Sequence, residues 1–185
     1  EIECINLYLE VFQELQLEGF SIQINHRKIL AGLAKLIGQE DKLIPLTVAL
    51  DKLDKIGKEK VEQEMLENGI TTESIQKIQP LFRIKGDFNE QLQQLEELFK
   101  GVDIAISGIE DVKFIYKQVM ASSDISVPFH LDVTLARGLD YYTGSILEVN
   151  APQKVGIGSI GGGGRYDDLT GVFGLKDLSG MGISF

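Results

Sequence analysis

Two short segments of this 185-residue chain hold residue types that packing alone does not require: Arg137-Gly138-Leu139-Asp140-Tyr141-Tyr142-Thr143-Gly144 and Gly161-Gly162-Gly163-Gly164-Arg165-Tyr166-Asp167. Arg137 follows a run in which Val127, Phe129, Leu131, Val133 and Leu135 alternate with other residues, the period of a strand. A guanidinium at the end of such a strand offers a rigid fork of donors matched to a carboxylate or a phosphate. A surface ion pair with Asp132 or Asp140 would satisfy it equally well. Tyr141 and Tyr142 are adjacent, so in a flat strand they point to opposite faces and can share a pocket only if the chain turns between them. A tyrosine hydroxyl can orient a polar ring, and a tyrosine pair can also simply fill a core with its hydroxyls wet.

The glycine run narrows the chemistry. Gly156, Gly158 and Gly161 match the spacing of a dinucleotide fingerprint, but three more glycines follow where that motif needs a helix, and no Lys-Ser or Lys-Thr completes a phosphate loop. Glycines within a sheet instead suggest a flat floor on which a ligand ring rests against bare backbone. His26 and His130 stand apart from other metal-ligating residues at useful spacing, which predicts no metal site. Each reads as an ordinary strand-end or surface histidine. Asp167 and Asp168 read as a helix start.

The elements that must position these residues fall into three stretches. Ile2, Ile5, Leu9 and Phe12 predict an amphipathic helix ending near Gly19; Phe20, Ile22 and Ile24 predict a strand; Ile29, Leu30, Leu33 and Leu36 predict a second helix running to Gly38. Residues 39–125 are charged, Gln-rich and helical. Pro45 opens one helix that Gly57 closes, Asn68-Gly69 ends the next, Thr72 caps a third, Gly101 follows a fourth, and a last helix carries Val112, Ile115, Tyr116 and Val119. The only strand expected there is a short one around Asp103 to Ile106. Strand periodicity returns after residue 126, with a second strand at Ser145 to Val149, and predicts an antiparallel meander. More than half of the 20 glycines lie in this last stretch.

The expected architecture is therefore α+β: a mostly antiparallel sheet with flanking helices, built from residues 1–38 and 126–185 and interrupted by a helical insertion, 39–125. The net charge of −10 argues against a duplex-binding surface. The insertion holds 11 basic against 17 acidic residues, so any RNA contact must be local. No stretch approaches the ~20 apolar residues of a membrane span, and the first residues lack a basic start followed by an apolar run, which predicts no membrane and no secretion. The single cysteine, Cys4, cannot form an internal disulfide, and a cytoplasmic location is expected.

Together the two segments resemble the two histidine-specific signatures of histidyl-tRNA synthetases, in the family's order and mutual distance. Gly180-Met181-Gly182-Ile183-Ser184-Phe185 is similar to the beginning of the third class II motif, and Gln23 to Leu30 looks like the strand and helix that follow the second. The resemblance spans the chain, and it is strongest after residue 127. It implies a class II synthetase-type fold and a two-step ligase reaction. Histidine and ATP, with Mg2+ accompanying the nucleotide, give histidyl-adenylate, and the histidyl group then passes to tRNA(His). By resemblance Arg137 is the catalytic residue, set between the histidine carboxylate and the α-phosphate. Tyr141, Tyr142 and Tyr166 would line the histidine pocket, with Gly162 and Gly163 as its floor.

The family's first motif, second motif, third-motif arginine and anticodon-binding domain are not found in this sequence. A fragment is expected, inactive by itself, from an enzyme that forms a homodimer largely through other regions. The ATP-clamping residues are likewise expected elsewhere. Two other readings keep the fold without the chemistry: a non-catalytic synthetase-like regulatory subunit of the histidine-biosynthetic ATP phosphoribosyltransferase, and a synthetase-like sensor domain of a larger kinase. An intact Arg137 segment favours the enzyme, because only adenylation needs a cation at the α-phosphate.

Overall fold

The structure, a computed structural model, describes residues 1–122, 127–137 and 141–185. Helix α1 (Ile2–Glu14) buries Ile5, Tyr8, Leu9 and Phe12, one stripe at steps of three and four. It stops short of Gly19. Gln16 turns to φ 54, and Gly19 at φ 84 then swings the chain into strand β1 (Ser21–His26). Helix α2 (Arg27–Ile37) starts directly from β1, capped by the His26 ring, which accepts the Lys28 N–H, and it ends at a left-handed Gly38.

Six helices follow: α3 (Leu43–Leu50), α4 (Leu53–Ile56), α5 (Lys58–Glu67), α6 (Thr72–Ile78), α7 (Phe88–Leu98) and α8 (Asp103–Ser122). Three expectations change here. The helix expected from Pro45 to Gly57 is two, α3 and α4, split at Asp51, whose carboxylate accepts the Ala136 N–H at 3.4 Å. Thr71 caps α6 rather than Thr72, its hydroxyl accepting the Ser74 N–H at 3.2 Å. The short strand expected at Asp103 to Ile106 is the first turn of α8. Packing overrides the local pattern there, because a Cβ on Gly32 of α2 would collide with Ala105.

The remaining elements are β2 (Phe129–Leu131), β3 (Ser145–Asn150), β4 (Ser159–Tyr166), α9 (Leu169–Val172) and β5 (Gly180–Ser184). The described strands form a mostly antiparallel sheet in the order β2-β1-β3-β4-β5. The expected meander exists for β3, β4 and β5. It fails for the long strand expected over 127–135, since β2 is only three residues long and pairs in parallel with β1, which lies between it and β3. The chain leaves the sheet because Asp132 Oδ1 accepts both the Thr134 N–H (2.9 Å) and its hydroxyl (2.7 Å), a side-chain turn that alternation does not encode. The boundary expected between residues 125 and 126 lies outside the described residues.

One face of the sheet carries Ile22, Ile24, Leu147 and Val149 into the core formed with α1 and α8. The other carries Gln23, Glu148 and Gly162 in one row and Asn25, Ile146, Gly164 and Gly182 in the next. A small cluster of Leu30, Leu135 and Ile146, with Ala136 and Tyr142 against it, covers part of that second face and leaves the rest open.

Candidate functional site

The open face brings most of the singled-out residues together. Glu148 of β3 stands opposite Gly162 of β4 and Gln23 of β1. Arg137 reaches in from the segment after β2, with Nε 2.6 Å from Glu148 Oε2. This, rather than a pair with Asp132, is its ion pair; Asp140, the other expected partner, lies outside the described residues together with Gly138 and Leu139. Glu148 is 6 % exposed, whereas the Arg137 side chain keeps 48 % of its surface open to a ligand. Both residues line a cavity of about 130 Å³ with Gln23, Asp51, Asp132 and Asn150.

Burial raises the Glu148 carboxyl above the usual carboxylate range, Arg137 pulls it back, and Asp132 and Asp51 push it up again. The guanidinium therefore sits among several carboxyl groups and opposes their mutual repulsion. A ligand that brings its own anion must share Arg137 with Glu148.

Along β4, two residues on from Gly162 and on the same face, Gly164 lies under the Tyr142 ring; a Cβ there would be 2.8 Å from Tyr142 Cδ1. Tyr166 spreads across the neighbouring β5, so close that a Cβ on Gly180 would collide with its ring. The chain does turn before β3, as two adjacent tyrosines require. The ring centroids of Tyr141 and Tyr142 lie 4.4 Å apart with planes tilted by 59°. Burial and a hydrogen bond with Tyr141 raise the Tyr142 phenol above its ordinary value, so it stays protonated and able to donate. Tyr142 and Tyr166 thus flank bare backbone about 7 Å along the strand from the row of Glu148 and Gly162, the rise of two residues.

The glycines differ in what keeps them small. Gly161 lies against the Tyr8 ring, whose single hydroxyl proton is shared between Gly162 O (2.9 Å) and Ser184 O (2.7 Å). Gly163 faces the same helix-packed side, where a Cβ would collide with Gly182 O, so only its backbone belongs to the floor. Gly162 alone of the four would have just one atom near an added Cβ, Leu147 O at 3.4 Å. The space above it is open.

Sequence reasoning passed over Glu148, although a carboxylate set between Ile146-Leu147 and Val149 was a visible signal. It also read Asp167 as a cap. Asp168 is the N-cap of α9, without a side-chain hydrogen bond, and Asp167 instead accepts from Thr143 Oγ1 at 2.6 Å. His26 is 3 % exposed and its pKa is lowered to about 4 by burial; its Nδ1 accepts a backbone N–H, and Nε2 faces Asp111 at 3.4 Å. His130 is exposed on β2. Among the described residues no three His, Cys, Asp or Glu side chains gather as a metal site, and no helix is long and apolar enough to cross a membrane.

Comparison with known proteins places the chain in a family. The histidine–tRNA ligase of Christiangramia forsetii is 55% identical over 185 residues, which cover 100% of this chain and 41% of that protein. The crystal structure of histidyl-tRNA synthetase from Nostoc sp. PCC 7120 superposes with a TM-score of 0.89 at 30% identity, over 98% of this chain and 43% of the other. A Bacillus halodurans protein described as an ATP phosphoribosyltransferase regulatory subunit/histidyl-tRNA synthetase shares the fold alone, with a TM-score of 0.79 at 19% identity over 98% of this chain and 46% of its own. The chain thus spans about two fifths of its curated relative's length. Since the family model for histidyl-tRNA synthetase matches residues 1–185, the whole chain, it belongs to the histidyl-tRNA synthetase family.

Proposed function

We propose that this chain is part of the catalytic domain of a histidine–tRNA ligase and supplies the histidine side of its active site. The observation that carries this reading is the Arg137–Glu148 pair beside open Gly162, with the Tyr142 and Tyr166 rings two residues along the same face. Histidine would lie along β4, its carboxylate at Arg137 and its ring between the tyrosines. When the carboxylate oxygen attacks the α-phosphorus of ATP, negative charge grows on the phosphoryl oxygens, and Arg137 stabilises it. Tyr141 and Tyr142 would line the ring pocket with Tyr166 over the floor of Gly162 and the Gly163 backbone. Because Glu148 already holds Arg137 through Nε, the cation is oriented before substrate arrives.

Residues 1–38 and 126–185 would be the two core pieces and 39–125 the insertion, in a cytoplasmic homodimer whose other substrates are ATP and tRNA(His). The family's use of ATP implies Mg2+. The described residues hold no group of three His, Cys, Asp or Glu side chains that fits a resident magnesium ion.

The test uses the full-length protein that contains this chain, in histidine-dependent exchange of pyrophosphate with ATP. Arg137→Ala should slow exchange by ~10² to 10³, the usual effect of losing one preorganised donor, while histidine binding changes far less. An unchanged maximal rate refutes the role of Arg137. No exchange by the unaltered protein refutes the ligase reading in favour of the non-catalytic regulatory one.

A further inference from the structure

We propose that Thr143 and Asp167 form a positioning clamp that joins the two signature segments and holds the Tyr141–Tyr142 pair over the glycine floor. The proposal rests on the histidine-site reading above.

Residues 141–144 lie in no strand, and the backbone hydrogen bonds that hold them begin only at Thr143, after the two rings. Three hydrogen bonds join Thr143 to Arg165 and Asp167, and a fourth, between Arg165 and Asp167, orients the carboxylate. Thr143 Oγ1 donates to Asp167 Oδ2 at 2.6 Å and itself accepts the Asp167 N–H at 3.0 Å. The Thr143 N–H donates to Arg165 O at 2.8 Å. Asp167 Oδ1 accepts Arg165 Nε at 3.1 Å, which keeps the carboxylate facing Thr143. Reciprocal bonds of this kind set both distance and direction, because the hydroxyl can serve as donor to the side chain and acceptor from the backbone only in one narrow geometry.

Two further observations point the same way. Gly144 has no room for a side chain, since a Cβ there would be 2.6 Å from Arg165 Cδ; the Arg165 stem lies directly across the residue that follows Thr143. Its guanidinium continues to Glu1 at the start of α1, at 3.3 Å, so the clamp is braced from the helix-packed side of the sheet. Tyr142, immediately before Thr143, rests on Gly164, immediately before Arg165. Displacing Thr143 therefore displaces the ring that closes the histidine end of the trough. Thr143 and Asp167 act through the tyrosines.

The experiment compares Thr143→Val, Thr143→Ser, Asp167→Asn and the double variant Thr143→Val/Asp167→Asn in the full-length protein. Thr143→Val, which keeps the shape and removes the hydroxyl, should raise KM for histidine about tenfold, the scale of one lost charge-assisted hydrogen bond, with KM for ATP unchanged. Thr143→Ser should restore it, and the double variant should be no worse than the worse single one, because both break the same contact. In tyrosine-labelled protein, the nuclear Overhauser contact between the Tyr142 ring and Gly164 should vanish in Thr143→Val and persist in Thr143→Ser.

An unchanged histidine KM with an intact Tyr142–Gly164 contact in Thr143→Val overturns the clamp. So does a lower melting temperature with no change in histidine KM, or an additive double variant. If the unaltered protein shows no histidine-dependent exchange, the functional reading fails, and the ring contact still decides whether the clamp exists.

Discussion

The two faces of the sheet are built from the same strands and obey different rules. On the helix-packed face, Ile22, Ile24, Leu147 and Val149 are each 1 % exposed or less, and the glycines at 161 and 163 are small because Tyr8, Ile183 and the β5 backbone press against them. On the open face, Glu148 is buried with a charge partner, and Gly162 is small although nothing crowds it. Smallness on the first face is imposed by packing, and at Gly162 packing supplies no reason.

That contrast can be broken by substitution, and the packed face should yield the largest effects. Ile24→Ala should cost between about 2 and 5 kcal/mol in urea denaturation, since it empties a fully enclosed site beside Leu131 and Leu147. The next effect comes from His26, at the end of β1. Its folded pKa of about 4 lies below the ordinary 6.5, so the folded state refuses a proton that the unfolded chain accepts. Stability should be unaffected by this group above pH 6.5 and fall as pH drops toward 4, by on the order of 3 kcal/mol. Asparagine at this position keeps an N-cap acceptor and cannot take up charge, so His26→Asn should flatten that part of the pH profile.

Smaller still, Gly163→Ala should cost about 1–3 kcal/mol by forcing β4 from β5. Gly162→Ala sharpens the comparison most. It should leave the melting curve within ~0.5 kcal/mol of the parent and yet weaken histidine in equilibrium binding to the full-length protein. Equal destabilisation by the two alanines would show that both glycines serve packing and that the faces do not differ.

Much of this was legible in the sequence, and the gaps have physical causes. Local periodicity found α1, β1 and α2, because each buries one stripe or alternates across one sheet, while β3, buried on both faces, was marked by its place after the Thr143-Gly144 turn. The signature segments were legible as chemistry from their residue types. The parallel pairing of β1 with β2 was hidden, since alternation shows that a strand is half-buried and says nothing about its neighbour's direction. The 127–135 run broke at an Asp132 side-chain turn that looks like any polar residue in a strand. Glu148 and Asp167 were passed over because their partners, Arg137 and Thr143, become neighbours only once the sheet has formed.

The place of β1 between β2 and β3 bears on how the chain reaches this structure. Ile22 pairs with Phe129 on one side and Val149 on the other, so both edges of β1 wait for residues made long after it on the ribosome. At ~5–20 residues per second, that delay lasts several seconds, far longer than the microseconds a helix or a hairpin needs to form. The intervening helices, α3 to α8, are made before either partner strand, and each can form from its own local hydrogen bonds. Nascent β1, apolar only at Ile22 and Ile24, would then hold two unsatisfied edges beside newly formed helices, a stage of synthesis open to mispairing.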